Sequence, residues 1–303
     1  MSVDILMATY NGEKFIETQI CSILAQTCKD WTLYIHDDGS YDDTAAIIRK
    51  YAALDKRIIF VEDGVTKLGP GGNFMHLLQF SHAPYICFCD QDDCWFENKL
   101  QTLYDCIALE PDALPVLVYS NAYTWFPEKK EPIGNVQIRH EIEGYKDLFF
   151  LNGGAPGCAC IFNRALLMKA ERSYENIAMH DQIISFIAFL FGKAVYLPSR
   201  LFLYRQHAQN TTAHIIQKKR QYLHHIFNQI SVVEITYYQG VKAIYHAFAD
   251  ELDSEKKEVF EAYLSLPEKN FLQRILIVNK YKFRRYNSLV LLILKMMTKK
   301  FIG

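Results

Sequence analysis

The first 110 residues alternate between strand-length apolar runs and segments of helical periodicity, a pattern that restricts the chain to a mostly parallel sheet covered by helices. Val3 to Ala8 is the first apolar run, closed by the loop signal Thr9-Tyr10-Asn11-Gly12. Between Lys14 and Ala25, Ile16, Ile20, Ile23 and Leu24 recur at helical spacing. Trp31 to His36 reads as a second strand ending in Asp37-Asp38-Gly39-Ser40, and Thr44 to Leu54 as a helix with Asp42 or Asp43 in capping position. Arg57 to Val61 is a third strand. The Gly- and Pro-rich stretch Leu68 to Asn73 breaks the chain before a short helix to Ser81. Tyr85 to Cys89 is a fourth strand running into Asp90-Gln91-Asp92-Asp93, and Asn98 to Leu109 is helical. Ligands of such sheets bind outside the carboxyl ends of the strands. Three polar loops directly follow strand ends here, so they converge on one rim.

Residues 116 to 200 read as mixed strand and helix. Gly153 to Gly157 opens a strand over Cys158 to Phe162, a helix runs from His180-Asp181 to Phe191, and a strand over Ala194 to Leu197 precedes Tyr204-Arg205-Gln206-His207. After about Ile215 the pattern turns helical, with Tyr222, Ile226, Ile230 and Val233 on one stripe, a helix start at Asp253-Ser254 and a break at Pro267. The expected division is therefore an α/β domain over residues 1–214 and a helical region over 215–303.

Three carboxylates in the four residues Asp90 to Asp93 are costly together unless a cation neutralises them. Hard oxygen ligands suit Mg2+ or Mn2+, whose remaining coordination positions are usually filled by phosphate oxygens and water. The competing reading is a solvated acidic turn before the helix near Asn98. Asp181 at a helix start is either an N-cap or a general base facing the rim. Arg205 has the geometry to pair with phosphate, and a neutral His207 to ligate a metal. Trp95 either stacks on a sugar ring or packs in the core.

The segments ILMATYNG, HDDGS, DQDDCW, MHDQ and YRQH, in this order and spacing, resemble the family 2 glycosyltransferases of the GT-A fold, within them a bacterial rhamnosyltransferase-like branch. The resemblance covers roughly residues 3 to 210. It implies a Rossmann-like GT-A domain that takes one sugar from a dTDP- or UDP-linked donor, with inversion. Thr9, Tyr10 and Asn11 are then expected in the nucleotide pocket, with Asp38 accepting from the imide N–H of uracil or thymine, Asn73 near the nucleotide and Asp90 near the ribose. Asp92 and His207 are expected to hold Mn2+ or Mg2+, Arg205 the diphosphate, and Asp181 to be the general base. Asp93, Trp95, Gly154, Ala155 and His180 are assigned to the acceptor and sugar pocket. The Q-x-x-R-W form of processive synthases is absent after Asp181, which favours a single addition.

Charge is unevenly distributed. Nine Lys or Arg and no Asp or Glu lie between Lys269 and Gly303, leaving a net charge of -10 on the first 268 residues. Apolar and basic residues interleave from Leu276 onward, and the longest unbroken apolar run of this tail, Leu289 to Leu294, is far short of the roughly 18 residues of a membrane span. This composition suits an interfacial helix on anionic lipid, in keeping with acceptors built on polyprenyl diphosphate. The start of the chain lacks the pattern of a signal peptide, and the eight cysteines lack C-x-x-C spacing and do not read as a disulfide framework. A cytoplasmic protein at the inner face of the plasma membrane is expected. An acidic body and rim oppose nucleic-acid binding. A nucleotidyltransferase would need a basic Gly-rich loop where Thr-Tyr-Asn-Gly-Glu stands, and a catalytically inactive sugar-binding module would have no need of Asp92, Asp181 and His207 together.

Overall fold

A computed structural model describes residues 2–127, 135–136 (backbone), 141–151, 153–207 and 231–303. In chain order the elements of the first part are β1 (Val3–Thr9), α1 (Ile16–Leu24), β2 (Trp31–Asp37), α2 (Thr44–Leu54), β3 (Ile58–Val61), α3 (Gly69–Leu77), β4 (Tyr85–Asp90), β5 (Cys94–Trp95) and α4 (Lys99–Ile107). The middle part comprises β6 (Val116–Trp125), β7 (Asn135–Val136), α5 (Tyr145–Leu148), β8 (Cys160–Asn163), α6 (Arg164–Ala170), α7 (His180–Phe191) and β9 (Lys193–Arg205). The last part comprises β10 (Ser231–Val233), α8 (Ile235–Phe248), α9 (Ser254–Ser265), α10 (Phe271–Lys280), α11 (Leu289–Thr298) and β11 (Lys300–Ile302).

The main sheet runs β3-β2-β1-β4-β8-β6-β9-β5, with β7 on β6. Its first four strands are parallel, β8 is antiparallel to both neighbours, and β6 and β9 are parallel again. Register explains the shared rim: Thr9 lies opposite Asp37, and Ala8 opposite Asp90. The end of each strand therefore delivers its polar loop at one level.

Alternation along β1 divides the core. Val3, Ile5 and Met7 join α1, α2 and α4 in one layer, whereas Leu6 joins α3, α7 and the C-terminal helices in the other. The helices of residues 235–298 share that second layer: Tyr237, Phe260, Val278, Phe283, Leu292, Met296 and Phe301 are all buried in it.

Several expectations are corrected. The Gly-Pro-Gly-Gly stretch is not a break before α3 but its first turn, where Pro70 costs no internal hydrogen bond. Gly71 is small there for a reason, because a Cβ would come within 3.0 Å of Ile177 and 3.1 Å of the Ala178 carbonyl. Tyr204 and Arg205 are the end of β9 rather than a loop beyond a shorter strand. The strand expected over Cys158 to Phe162 begins only at Cys160, because Cys158 lies in a 3-10 turn that packs in the opposite core layer. Val233 is in a strand paired with β11, while Tyr222, Ile226 and Ile230, and the boundary at 214, lie outside the described residues.

Asp4 is a buried carboxylate on β1 that accepts from Ser81 Oγ (2.9 Å) and from the amides of His82 (2.6 Å) and Ala83 (2.7 Å), fixing the approach to β4. Asp4→Ala leaves these three donors unpaired, and we expect a loss of about 3 kcal/mol of unfolding free energy by urea denaturation. A loss below about 0.5 kcal/mol would show that water replaces the carboxylate freely.

Candidate active site

Hydrogen bonds stitch the three loops of the rim together. Tyr10 N–H donates to Gln91 Oε1 and Gln91 Nε2 donates back to Tyr10 O, each at 3.0 Å. Gly12 permits this approach, since a Cβ there would fall 2.2 Å from Gln91 Oε1. Asn11, in the left-handed region at φ 48°, donates its amide to Ser40 Oγ (2.7 Å) and accepts from Tyr41 N–H through Oδ1 (3.1 Å). Thr9 Oγ1 donates to Asp37 Oδ1 (2.9 Å), and Asp37 also holds Ser40. Asp38 is buried, with Oδ1 accepting from Leu68 N–H (2.7 Å) and Oδ2 from Gly69 N–H (2.8 Å), the amides that open α3. Each of its oxygens keeps a second lone pair for a ligand.

These loops enclose a cavity of about 590 Å³ lined by Thr9, Tyr10, Asn11, Phe15, Asp38, Lys67, Asn73, Asp90, Gln91, Asp92, Met179, Tyr204 and His207, among others. All six residues expected at the nucleotide are in this lining, as are both expected metal ligands. Lys67, Phe15, Gln91 and Met179 are lining residues that the sequence reading missed. Lys67 is the notable one, a cation at φ 64° beside the acidic rim; a lone Lys before Leu-Gly carries no motif signal.

The acidic loop is held from behind. His207 Nε2 lies 2.7 Å from Asp92 Oδ2, and the His207 ring stacks on Phe15 with centroids 4.3 Å apart. Burial, then the charge of Asp92, pushes the Asp90 carboxyl up. Asp93 is fully buried, pushed well up by burial and by its acidic neighbours, with Oδ1 accepting from the Arg205 amide at 3.3 Å. Beneath the loop, the buried Lys99 Nζ donates to Cys158 O (2.5 Å) and sits 3.7 Å from the Trp95 ring centroid. An aspartate and an imidazole in contact, beside a carboxyl whose ionisation is suppressed by burial and then by its neighbour's charge, are a donor set that fits Mn2+ or Mg2+. Asp90, Asp93 and Cys158 also bring ligand atoms within 4.8 Å of one another, but Asp93 and Cys158 are buried and burial keeps the Cys158 thiol protonated.

Other assignments shift. Arg205 is not in the cavity lining: its Nε donates to Asp92 O (2.7 Å) and its guanidinium lies over Trp125 (4.2 Å), so it braces the acidic loop. Trp95 is core, with Lys99 on its face, and does not reach the cavity. Asp93 and His180, expected in the acceptor and sugar pocket, are buried and are not in the cavity lining. The His180 ring packs against Phe74 (3.9 Å) and Phe88 (4.6 Å), and burial drives its pKa down to about 3, so it is neutral. Gly154 and Ala155 pack on α7: the Ala155 amide donates to Ser185 Oγ (2.8 Å), and a Cβ on Gly154 would strike that oxygen at 2.3 Å. Asp181 is not the N-cap of α7, a position held by Met179. It sits in the first turn, two residues from the lining residue Met179 but not itself in the cavity lining, with Oδ1 buried and lacking a hydrogen-bond partner, and burial pushes its carboxyl up to about 6.

The model of the family "Glycosyl transferase family 2" matches residues 4–170. The dTDP-rhamnosyl transferase RfbG of Shigella flexneri is 28% identical over 259 residues, spanning 81% of this chain and 85% of the relative. The UDP-Glc:alpha-D-GlcNAc-diphosphoundecaprenol beta-1,3-glucosyltransferase WfgD of Escherichia coli is 35% identical over 99 residues, 33% of this chain and 38% of that one. Staphylococcus aureus TarS 1-349 in complex with UDP-GlcNAc superposes with a TM-score of 0.62 at 16% identity, covering 93% of this chain and 80% of that chain. The mannosyltransferase PcManGT from Pyrobaculum calidifontis, in complex with GDP-Man and Mn2+, gives a TM-score of 0.52 at 15% identity over 97% and 78% of the two chains.

Gly12→Ala is expected to cost about 1–2 kcal/mol by forcing Gln91 away from Tyr10. In a double-mutant cycle with Gln91→Ala the losses should be less than additive, and strict additivity would show that the two loops are not coupled through this contact.

Proposed function

Because this chain belongs to glycosyl transferase family 2 and has the GT-A fold, we propose that it moves a single sugar from a dTDP- or UDP-linked donor, dTDP-rhamnose first among them, to a hydroxyl of a glycan acceptor, including one carried on polyprenyl diphosphate. The observation that carries the reading is the single cavity in which Asp38, Asp90, Asp92, His207 and Lys67 meet. In this reading the base lies against Thr9, Tyr10 and Asp38, and Asn73 closes its side of the pocket. Lys67 reaches the diphosphate, a cation on the rim of an otherwise acidic site.

Asp92 and His207 would hold the divalent ion, with Asp90 beside them, and the imidazole favours Mn2+ over Mg2+. When bound, such an ion offsets the negative charge that gathers on the departing diphosphate. Asp181 removes the proton of the attacking hydroxyl. An oxygen attacking in line opposite the leaving group inverts the anomeric centre, and a single base suffices.

The tail supports a location at an anionic membrane surface. On α10, Leu272 and Leu276 are about 70% exposed, and on α11 Val290, Leu294 and Met297 are exposed at helical spacing. Lys280, Lys282 and Lys300 are exposed among them. No helix among the described residues is long and apolar enough to cross a membrane.

Purified protein with dTDP-rhamnose, UDP-glucose, UDP-galactose, UDP-N-acetylglucosamine or GDP-mannose, with and without Mn2+ or Mg2+, should release nucleoside diphosphate from one donor only with metal, and Asp92→Asn should abolish the release. Turnover undiminished by chelation, or by that substitution, would remove the metal from the reading. Asp181→Asn should lower kcat by about 10²–10⁴ with donor affinity nearly unchanged. Because a general base must be ionised and burial raises this carboxyl to about 6, kcat/KM should climb as pH rises through 6 and level off above it. A profile flat from pH 5 to 8 would exclude Asp181 as the base. Replacing Leu272, Leu276, Val290 and Met297 by Ser should release the protein from vesicles containing anionic lipid in a sedimentation assay; unchanged binding would refute the membrane role of the tail.

A further inference from the structure

A second group of ligating side chains lies behind the nucleotide pocket, away from Asp92 and His207. His36, near the end of β2, is 1% exposed; Asp63 follows β3, and His76 is on α3. His36 Nε2 is 3.3 Å from Asp63 Oδ1, His76 Nε2 is 2.6 Å from Asp63 Oδ2, and the three ligand atoms all lie within 4.8 Å of one another.

The hydrogen bonds around His36 call for a cation between His36 and Asp63. Asn73 Nδ2 donates to the His36 carbonyl (3.3 Å), which fixes the amide so that its oxygen faces His36 Nδ1 at 2.7 Å. Nδ1 must therefore carry a proton. The other ring nitrogen, Nε2, then presents a lone pair to the Asp63 carboxylate unless a cation, a proton or a metal, stands between the two. The Nδ1–H to amide-oxygen contact is also the outer hydrogen bond that orients an imidazole for metal binding through Nε2.

We propose that His36 Nε2, Asp63 and His76 Nε2 form a binding site for a divalent transition metal of the zinc type, separate from the donor site. Two imidazoles and a carboxylate with one position left for water are a known zinc donor set, and tetrahedral bonds of about 2.0–2.1 Å give ligand separations of about 3.3 Å. The His36–Asp63 edge has that length already. The His76–Asp63 edge must widen, which the half-buried His76 can do by side-chain rotation. The Gln79 amide, whose nitrogen now lies 2.9 Å from His76 Nδ1, then turns to present its oxygen. Asp63 is exposed, so an ion has a path in. A bound ion would tie together β2, α3 and the loop from Asp63 to Leu68, which carries Lys67 and the amide that holds Asp38.

The test is titration of metal-stripped full-length protein with Zn2+, and with Co2+ followed by its visible ligand-field bands, in wild type, His76→Gln, Asp63→Asn and Asp92→Asn. The site predicts a Zn2+, in addition to any ion held at Asp92 and His207, that raises the unfolding temperature and gives tetrahedral-type Co2+ bands. Asp92→Asn should keep this binding, while His76→Gln and Asp63→Asn should weaken it at least tenfold. Both of the latter variants alter partly exposed side chains, and their folding is checked by thermal unfolding without metal. The proposal is overturned if Asp92→Asn takes no Zn2+, or if its Zn2+ binding survives undiminished when His76→Gln is added. It is equally overturned if nitrogen NMR finds His36 protonated on both ring nitrogens with Zn2+ present, because the cation between His36 and Asp63 is then a proton.

Discussion

Gathering carboxylates at the carboxyl edge of a parallel sheet sets a cost that the surrounding structure must offset group by group. Asp37 is satisfied by Thr9 and Ser40, and Asp38 by the amides that open α3. Asp92 is met by the His207 imidazole, and the backbone of the acidic loop by Arg205. Under the loop, Lys99 contributes a positive charge that acts on both Asp90 and Asp93. Asp90 and Asp92 nevertheless stand side by side in the cavity lining, and burial and then the charge of Asp92 push the Asp90 carboxyl up.

Burial also sorts the residues by role. Arg205 looks like a phosphate ligand in a Tyr-Arg-Gln-His motif, yet its side chain is spent behind Asp92, sandwiched by Trp125 and Phe15. Lys67 takes the exposed position instead, on a loop whose amides are pinned by Asp38. A guanidinium suits the first task because its planar face packs on rings while its edge donates, and an ammonium on a flexible stem suits the second.

Much of this was legible in the chain because two simple periods govern it. Strand β1, helix α2 and helix α7 appear within a residue of where apolar runs and 3.6-residue spacing put them. The loops at Thr9 to Gly12, Asp37-Asp38 and Asp90 to Asp93 are legible because they follow strand ends, whereas Asn73, Asp181 and His207 are pointed to by the family resemblance. What was not legible depends on long-range packing. Gly69 to Gly72 reads as a break until Ile177 to Met179 are seen against Gly71. Trp95 is core because β5 pairs with β9, more than a hundred residues away in the chain. The basic tail reads as one interfacial stripe, but Arg285 and Lys295 are both 1% exposed, donating to carbonyls that include Val232 O, and burial pulls the Lys295 amine down to about 7. Sequence spacing cannot separate the buried cations from the exposed ones.

That burial changes what the C-terminal region is for. Gln182, next to Asp181 on α7, donates to the Tyr237 carbonyl at 3.0 Å, and α8 comes close enough that a Cβ on Gly240 would strike the Gln182 oxygen at 2.2 Å. The Tyr237 hydroxyl in turn donates to the carbonyls of Leu148 and Gly153, at the entrance to the loop that packs on Ser185. Helix α7 is thus fixed on one side by the sheet and on the other by α8, and the first turn that carries Asp181 cannot move without disturbing both. The charge of Asp181 reaches Tyr237 as well as Asp90, so the helical region and the acidic rim meet electrostatically at one carboxylate. A region that begins as an appendage in the sequence therefore supplies one wall of the scaffold that aims the proposed base.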